Sequence, residues 1–313
     1  MEKITDLGEL RKYLNKIDRI FSINSLLGQK IDDEFVVDYY EDSNLGYRYF
    51  HSVEGSVHMA LNFDGKFDKD GYYEQAKIVS KQIESIDAKI VLELGCGKGF
   101  NSIFLAKKFP NVDFTGIDLT PAHLNQAIES GRNFPNLIFK QGNFQMLEFA
   151  DKSFNLLFEV ESICHASDMK IALSEAFRVL KPGGRIVFFD GFRQPGFSNQ
   201  SEDTKLASQL VEASMAIEKP WLINEWLGLA REVGFLEIKV DDISQAIMPN
   251  LAKFQFLASG YFNFPNLSRV ILKVIHANLV KNSIAGLLMP FTITAGAQAY
   301  YLIILERPGL SPS

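Results

Sequence analysis

Residues 89–109 read KIVLELGCGKGFNSIFLAKKF. A short apolar run meets glycines at alternate positions, and a helical stretch follows, closed by Pro110. Gly95, Gly97 and Gly99 let a backbone turn sharply and come close to a ligand. The alternation then repeats. VDFTGID (112–118), LIFKQG (137–142), FNLLFEV (154–160) and RIVFFD (185–190) are strand-like. Between them, Pro121 opens the helical AHLNQAIESGR, and DMKIALSEAFRVL is a helix stopped by KPGG. Strands separated by helices of this length are parallel βαβ units, buried on both faces and therefore continuously apolar.

After residue 200 the order loosens. EDTKLASQLVEASMAI is helical, INEWLGLAREVGF ends at Gly234, and FLEIKVDDI is a strand. From 282 to 305 no residue is charged, but Pro290, Thr292, Thr294, Gly296 and Gln298 interrupt the run. It reads as a helix end, a loop and the strand AYYLIIL rather than a membrane span. The expected division is an N-terminal lid (1–74), a core (75–245), a helical cap insertion (246–290) and a last strand with its tail (291–313).

The glycine loop fits no P-loop, because Lys98 is followed by Gly99 and not by Ser or Thr. It is not GxGxxG either, since Phe100 takes the third glycine's place. Asp118 ends the next strand, roughly 20 residues on, where an acid accepts hydrogen bonds from ribose hydroxyls. That suits a nucleoside ligand without separating NAD from S-adenosylmethionine (SAM). Taken together, ELGCGKG, QGNFQMLEFADKSFNLLF and RVLKPGGRIVFFD resemble the motifs of class I SAM-dependent methyltransferases, over about residues 75–245 plus the last strand. The resemblance implies an α/β Rossmann-like fold: a seven-stranded sheet, helices on both faces and an antiparallel final strand. It implies SAM as cofactor, S-adenosylhomocysteine as product, and contacts from Glu93, Gly95, Gly97, Gly99, Asp118, Leu119, Asn143, Phe144, Glu159 and Tyr40. Asn143 stands where the family usually has Asp.

FEVESICHASD (158–168) gathers carboxylates, a thiol and an imidazole at the end of the fourth strand. Ligands of open α/β sheets bind outside such strand ends. Glu159 and Glu161 share one strand face by period two. A buried unpaired carboxylate is costly, so at least one should face the cleft or pair with a cation. No metal is expected: Cys164 and His165 are adjacent, without CxxC or HxxxH. Sequence neighbours also make a poor Cys–His hydrolase. The stretch is similar to the Glu-x-x-Cys-His-Ala run of sterol C-methyltransferases and to small-molecule O-methyltransferases. In some of the latter a His here and an Asp after the fifth strand form the base pair, which implies His165 oriented by Asp190, with Glu161 and Glu159 beside them. A Tyr-rich lid segment in these branches ends in Gly-x-x-His; Tyr39, Tyr40, Tyr47 and His58 match its outline, although HSVEGS replaces the usual Trp-Gly.

The net charge of −6 argues against a nucleic-acid partner. Two cysteines fit a reducing cytoplasm, and the N-terminus lacks the apolar segment of a signal peptide. Twenty-six phenylalanines suit an apolar ligand pocket. NFPNLSRVILKVIHANLVKN is a basic amphipathic stretch, so peripheral membrane contact through 266–282 stands beside ordinary packing on the core. The expected activity is methyl transfer to a small lipophilic natural product, lipid or terpenoid. Alternatives are C-methylation of an isoprenoid or sterol-like alkene, a non-catalytic SAM- or lipid-binding protein, and an NAD-linked oxidoreductase.

Overall fold

The computed structural model describes residues 5–46, 55–272 and 277–309. The core opens with α4 (Glu74–Ser85) and β1 (Ile90–Leu94). It continues through α5 (Phe100–Lys108), β2 (Asp113–Asp118), α6 (Pro121–Gly131), β3 (Leu137–Gln141) and β4 (Phe154–Val160). Then come α7 (Met169–Val179), β5 (Leu180–Arg193), α8 (Glu202–Ser214), α9 (Ile223–Val233) and β6 (Leu236–Asp242). Strand β7 (Gln298–Glu306) is the last element. The strand order is β3-β2-β1-β4-β5-β7-β6, with β7 antiparallel to both neighbours and β1 to β5 parallel. This is the expected seven-stranded, Rossmann-like sheet.

Local chemistry sets the element ends. Pro121 occupies the first turn of α6, where its missing N–H costs nothing. Asp168 caps α7 by accepting the Ile171 N–H at 3.1 Å. Gly234 ends α9 at φ +115°, a conformation other residues avoid. As expected, α7 stops just before KPGG, at Val179, and the sheet is not broken there. Lys181–Gly184 bulge within β5, between the pairings Phe154–Leu180 and Leu156–Arg185. Arg307 holds this corner by donating to the carbonyls of Phe177, Arg178 and Leu180.

One apolar cluster packs α4, α5 and part of α10 (Ser244–Phe262) on one face of the sheet; α7 and α9 cover the other. A separate helical layer joins α1 (Leu10–Asp18), α2 (Ile23–Leu27), α8, α10 and α12 (Ala277–Thr294). α12 differs from the expectation. It runs through Pro290 to Thr294 instead of ending near the proline. Ile284, Leu287, Leu288 and Phe291 are fully buried. That packing outweighs the one backbone hydrogen bond the proline removes. Among the described residues, no helix is long and apolar enough to cross a membrane.

Candidate active site

A cavity lies between the carboxyl ends of β1, β2, β4 and β5 and the helical layer above them. Gly95 and Gly97 form part of its floor at φ +67° and +51°. A Cβ on Gly95 would fall 2.3 Å from the Ser162 Cβ. The loop therefore has no room for a side chain where the backbone meets the ligand space. Asp118 steadies it: its carboxylate accepts the Gly97 N–H at 2.7 Å and the Thr120 N–H at 2.8 Å. Leu119, Asn143 and Phe144 line the same end. Asn143 accepts the Gln145 N–H at 2.8 Å, so a neutral amide holds that turn where Asp is usual. This half of the cavity is a cradle of glycines, one ribose-competent acid and apolar walls. It fits SAM.

Three of the expected cofactor contacts, Glu93, Gly99 and Glu159, fall outside the cavity lining. Glu93 is buried beneath the loop, bonded to Ser102 and, at 3.3 Å, to Asn101. It ties β1 to the start of α5, and burial lifts its carboxyl to about 8. Gly99 opens α5 at φ +79°, and an added Cβ would meet the Phe139 ring at 2.5 Å. Its role is close packing.

The two glutamates of FEVESICHASD part company. Glu159 is fully buried. One oxygen accepts the Ser162 N–H at 2.9 Å and the Ile163 N–H at 3.2 Å, and the other accepts the Phe189 N–H at 3.1 Å. It does not line the cavity, where the expected ligand or catalytic role would place it, and instead holds the backbone after β4 to β5. Glu161 sits just past β4 at φ +55°. That left-handed residue ends the period-two alternation and swings the side chain into the cavity, where it accepts the Met59 N–H and the Tyr300 hydroxyl, each at 2.8 Å. Burial, and Asp190 nearby, raise Glu161 to about 8.

His165 lines the cavity, but Asp190 does not orient it. The Asp190 oxygens accept the N–H groups of Cys164 at 3.0 Å and Gly191 at 2.7 Å. His165 Nδ1 instead lies 3.0 Å from the Ala216 carbonyl, and Nε2 lies 2.9 Å from the Tyr40 hydroxyl. A carbonyl only accepts, so Nδ1 carries the proton and Nε2 offers its lone pair. Ala216 stands at φ +56°, another left-handed residue at the site. Burial holds His165 down to about 4 and lifts Asp190 to about 6. The imidazole is neutral at physiological pH.

Tyr39 and Tyr40, on α3 (Asp33–Gly46), line the cavity. The Tyr39 hydroxyl bonds to Asn282 of α12. Tyr47 lies outside the described residues. His58 is buried away from the cavity, against Tyr72 and Phe100, with Nδ1 3.0 Å from the Met59 carbonyl. Its expected place among the lid contacts is thereby corrected.

Several lining residues escaped sequence reasoning. His123, in the first turn of α6, packs edge-on against Tyr40. Its position just beyond the carboxyl end of β2 was a usable signal. Tyr300 pairs with Gly191 across β5 and β7. With β7 antiparallel beside β5, AYY (299–301) faces DGF (190–192). Half-buried Arg193 pairs with buried Glu212 (Nε to Oε1, 2.7 Å), and Gln298 extends the pair at 2.9 Å. Nothing local in the sequence links these three. Among the described residues no His, Cys, Asp and Glu cluster is arranged to hold a metal.

Comparison with known proteins agrees with this geometry. A family described as a methyltransferase domain matches residues 86–234. The S-adenosyl-L-methionine-dependent Diels-Alderase iccD of Talaromyces variabilis is 30% identical over 232 residues, 66% of this chain and 78% of that protein. A fatty-acid O-methyltransferase of Mycolicibacterium smegmatis is 30% identical over 163 residues, 52% of this chain and 58% of its own length. The crystal structure of the [4+2]-cyclase SpnF shares the fold, with a TM-score of 0.68 at 17% identity over 88% of this chain and 97% of that one. The chain belongs to the class I SAM-dependent methyltransferase family.

Proposed function

We propose that this protein transfers a methyl group from SAM to an oxygen of a small lipophilic acceptor, with His165 as general base. When bound, SAM supplies a methyl group already activated on a sulfonium. The protein's task is then mainly alignment. Gly95, Gly97 and Asp118 hold the nucleoside end, while Leu119 and Phe144 enclose the base. The acceptor half is walled by apolar side chains, among them Val211, Met215, Ile217, Ile247, Met289 and Ile293. That lining supports a lipid, terpenoid or similarly apolar acceptor, as does the fatty-acid methyltransferase among the relatives.

The tautomer of His165 carries the base assignment. With Nδ1–H fixed on Ala216, Nε2 accepts a proton from Tyr40 or from an acceptor hydroxyl that takes Tyr40's place. General-base help of this kind is typically worth about 10²–10⁴-fold in rate. Asp190 positions Cys164, and so the backbone entering His165, without touching the imidazole. The N-terminal segment and the helices of 246–290 serve as lid and cap. A cytoplasmic setting belongs to the same proposal, supported by two free cysteines.

One observation favours a second reading, C-methylation of an alkene. Glu161 and Asp190 both line the cavity, and neither forms an ion pair among the described residues. Asp190, and Glu161 once it is ionised, suit a developing carbocation together with the aromatic faces of Tyr300 and Trp221. The test uses SAM with a labelled methyl group, purified protein and host-cell extract, followed by organic extraction. Label in the organic phase, lost in His165→Gln, supports the proposal. Label that survives His165→Gln and falls in Glu161→Gln favours the alkene. Label only in the aqueous phase overturns the lipophilic acceptor. Bound S-adenosylhomocysteine without transfer leaves the cofactor as a structural element, the arrangement expected of a cyclase or a binding protein.

A further inference from the structure

From Ile243 to Leu305 the chain contains no Asp or Glu. It contains Lys253, Arg269, Lys273 and Lys281, so this stretch carries +4 and the remainder, by difference from −6, carries −10. The only long acid-free stretch of an acidic protein is also where its exposed apolar side chains concentrate. Phe256, Leu257, Phe264, Leu267 and Val270 are between 42% and 64% exposed. On α10, Phe256, Leu257 and Gly260 follow Lys253 at i+3, i+4 and i+7, which is one stripe of a helix. The opposite face of α10 is anchored: Leu251, Ala258 and Phe262 are buried.

The stripe continues on α11 (Pro265–Ile271), where Leu267 and Val270 are one turn apart. α11 is fastened back to α10 at Ser268, whose hydroxyl donates to the Tyr261 carbonyl at 2.6 Å while the Tyr261 hydroxyl donates to the Ser268 carbonyl at 3.1 Å. Arg269 is exposed on α11 and Lys253 stands at the head of the stripe over the Phe67 ring. Neither forms an ion pair among the described residues. The acids nearest in sequence to Phe67, namely Asp64, Asp68 and Asp70, belong to the neighbouring loop and bound the surface on that side.

We infer that the α10–α11 face docks on an anionic lipid bilayer surface. The apolar side chains enter the acyl boundary and the cations meet the headgroups. Charge decides between occupants. A second copy of this chain would bring an identical cationic rim against this one. An anionic membrane complements it. Of these two helices α10 also walls the acceptor half of the cavity, through Ile247, beside Met289 of α12. Docking therefore sets the cap, rather than the sheet, against the bilayer. The inference rests on the surface alone and not on the methyl-transfer reading.

The test is co-sedimentation of the full chain with vesicles of phosphatidylcholine, with and without phosphatidylserine. Binding to the anionic vesicles that weakens with salt is expected. The triple variant Phe256→Ser/Phe264→Ser/Leu267→Ser should bind at least about tenfold more weakly. Arg269→Glu should lose the preference for phosphatidylserine. Binding of S-adenosylhomocysteine, unchanged in both variants, shows that they fold and reports separately on the cofactor site. No sedimentation with either vesicle overturns the proposal, as does binding equal to the parent in the triple variant. A dimer in light scattering that the triple variant dissolves, without vesicle binding, assigns the face to self-association instead.

Discussion

Glu159→Ala separates a structural acid from a chemical one. The substitution removes the acceptor of three backbone N–H groups, those of Ser162, Ile163 and Phe189. The Ser162 hydroxyl keeps a partner in the Leu94 carbonyl at 2.8 Å. Each buried N–H left without an acceptor costs about 1–3 kcal/mol. Part of that is offset, because burying the carboxyl and holding it near Asp190 are themselves unfavourable, as its raised pKa reflects. The net expected loss is about 3–4 kcal/mol, or roughly 5–6 °C in Tm for a chain of this size. Glu159→Gln keeps one carbonyl acceptor and turns an amide N–H toward a donor, so it should lose about half as much. Denaturant unfolding, with S-adenosylhomocysteine present and absent, measures both. A Glu159→Ala protein within about 1 kcal/mol of the parent that no longer transfers methyl would refute the reasoning and return Glu159 to the chemistry.

The remaining predictions concern the loop, the Arg193–Glu212 pair and pH. Gly95→Ala forces a side chain onto Ser162 at φ +67°; S-adenosylhomocysteine affinity by calorimetry should fall at least about tenfold, the equivalent of roughly 1.4 kcal/mol, and unchanged affinity would disprove the close approach. Arg193→Met leaves Glu212 buried with Gln298 as its remaining partner among the described residues and should cost about 3–5 kcal/mol, much of it recovered in Arg193→Met/Glu212→Leu; equal losses in the single and double variants would show that the unpaired Glu212 carries none of the cost. Glu93 and Glu161 are raised to about 8, so their stabilisation is complete below the unfolded carboxyl pKa and is lost as pH rises toward 8. His58, His123 and His165 are lowered to about 4, so theirs is present above the unfolded histidine pKa and is lost as pH falls through 4. Tm should therefore decline from about pH 6.5 to 8, where only the carboxyls differ between states; a flat or rising Tm across that window would contradict the burial argument.

The parallel core was legible because β1, β4 and β5 carry apolar runs and most of the turns between strands and helices carry a proline or glycine. The place of β7 followed from the motif order. The partition of Glu159 and Glu161 was not legible, because a single left-handed residue breaks the alternation and nothing in FEVES marks it. The partner of His165 was hidden for another reason. Ala216 lies 51 residues away in sequence and acts through a backbone carbonyl, which any residue type supplies. α12 outran Pro290 because its packing, not its local propensity, decides where it ends. Composition pointed to an apolar chamber, but only the fold divided the phenylalanines between core and surface.

The position of β7 has a consequence for synthesis. It is made after the other six strands, yet it lies between β5 and β6 and supplies Tyr300 to the cavity wall. Among the described residues, strand β6 pairs only with β7. As the nascent chain emerges, the cofactor half of the site is assembled from residues before 200, while the acceptor half waits. Until residue 306 clears the ribosome, β5 presents an open edge and β6 an orphan, both exposed to wrong pairing. A chain stalled in that interval would cradle a nucleoside at one end and have no wall at the other. Competence to bind and competence to react would thus arise at different moments of translation.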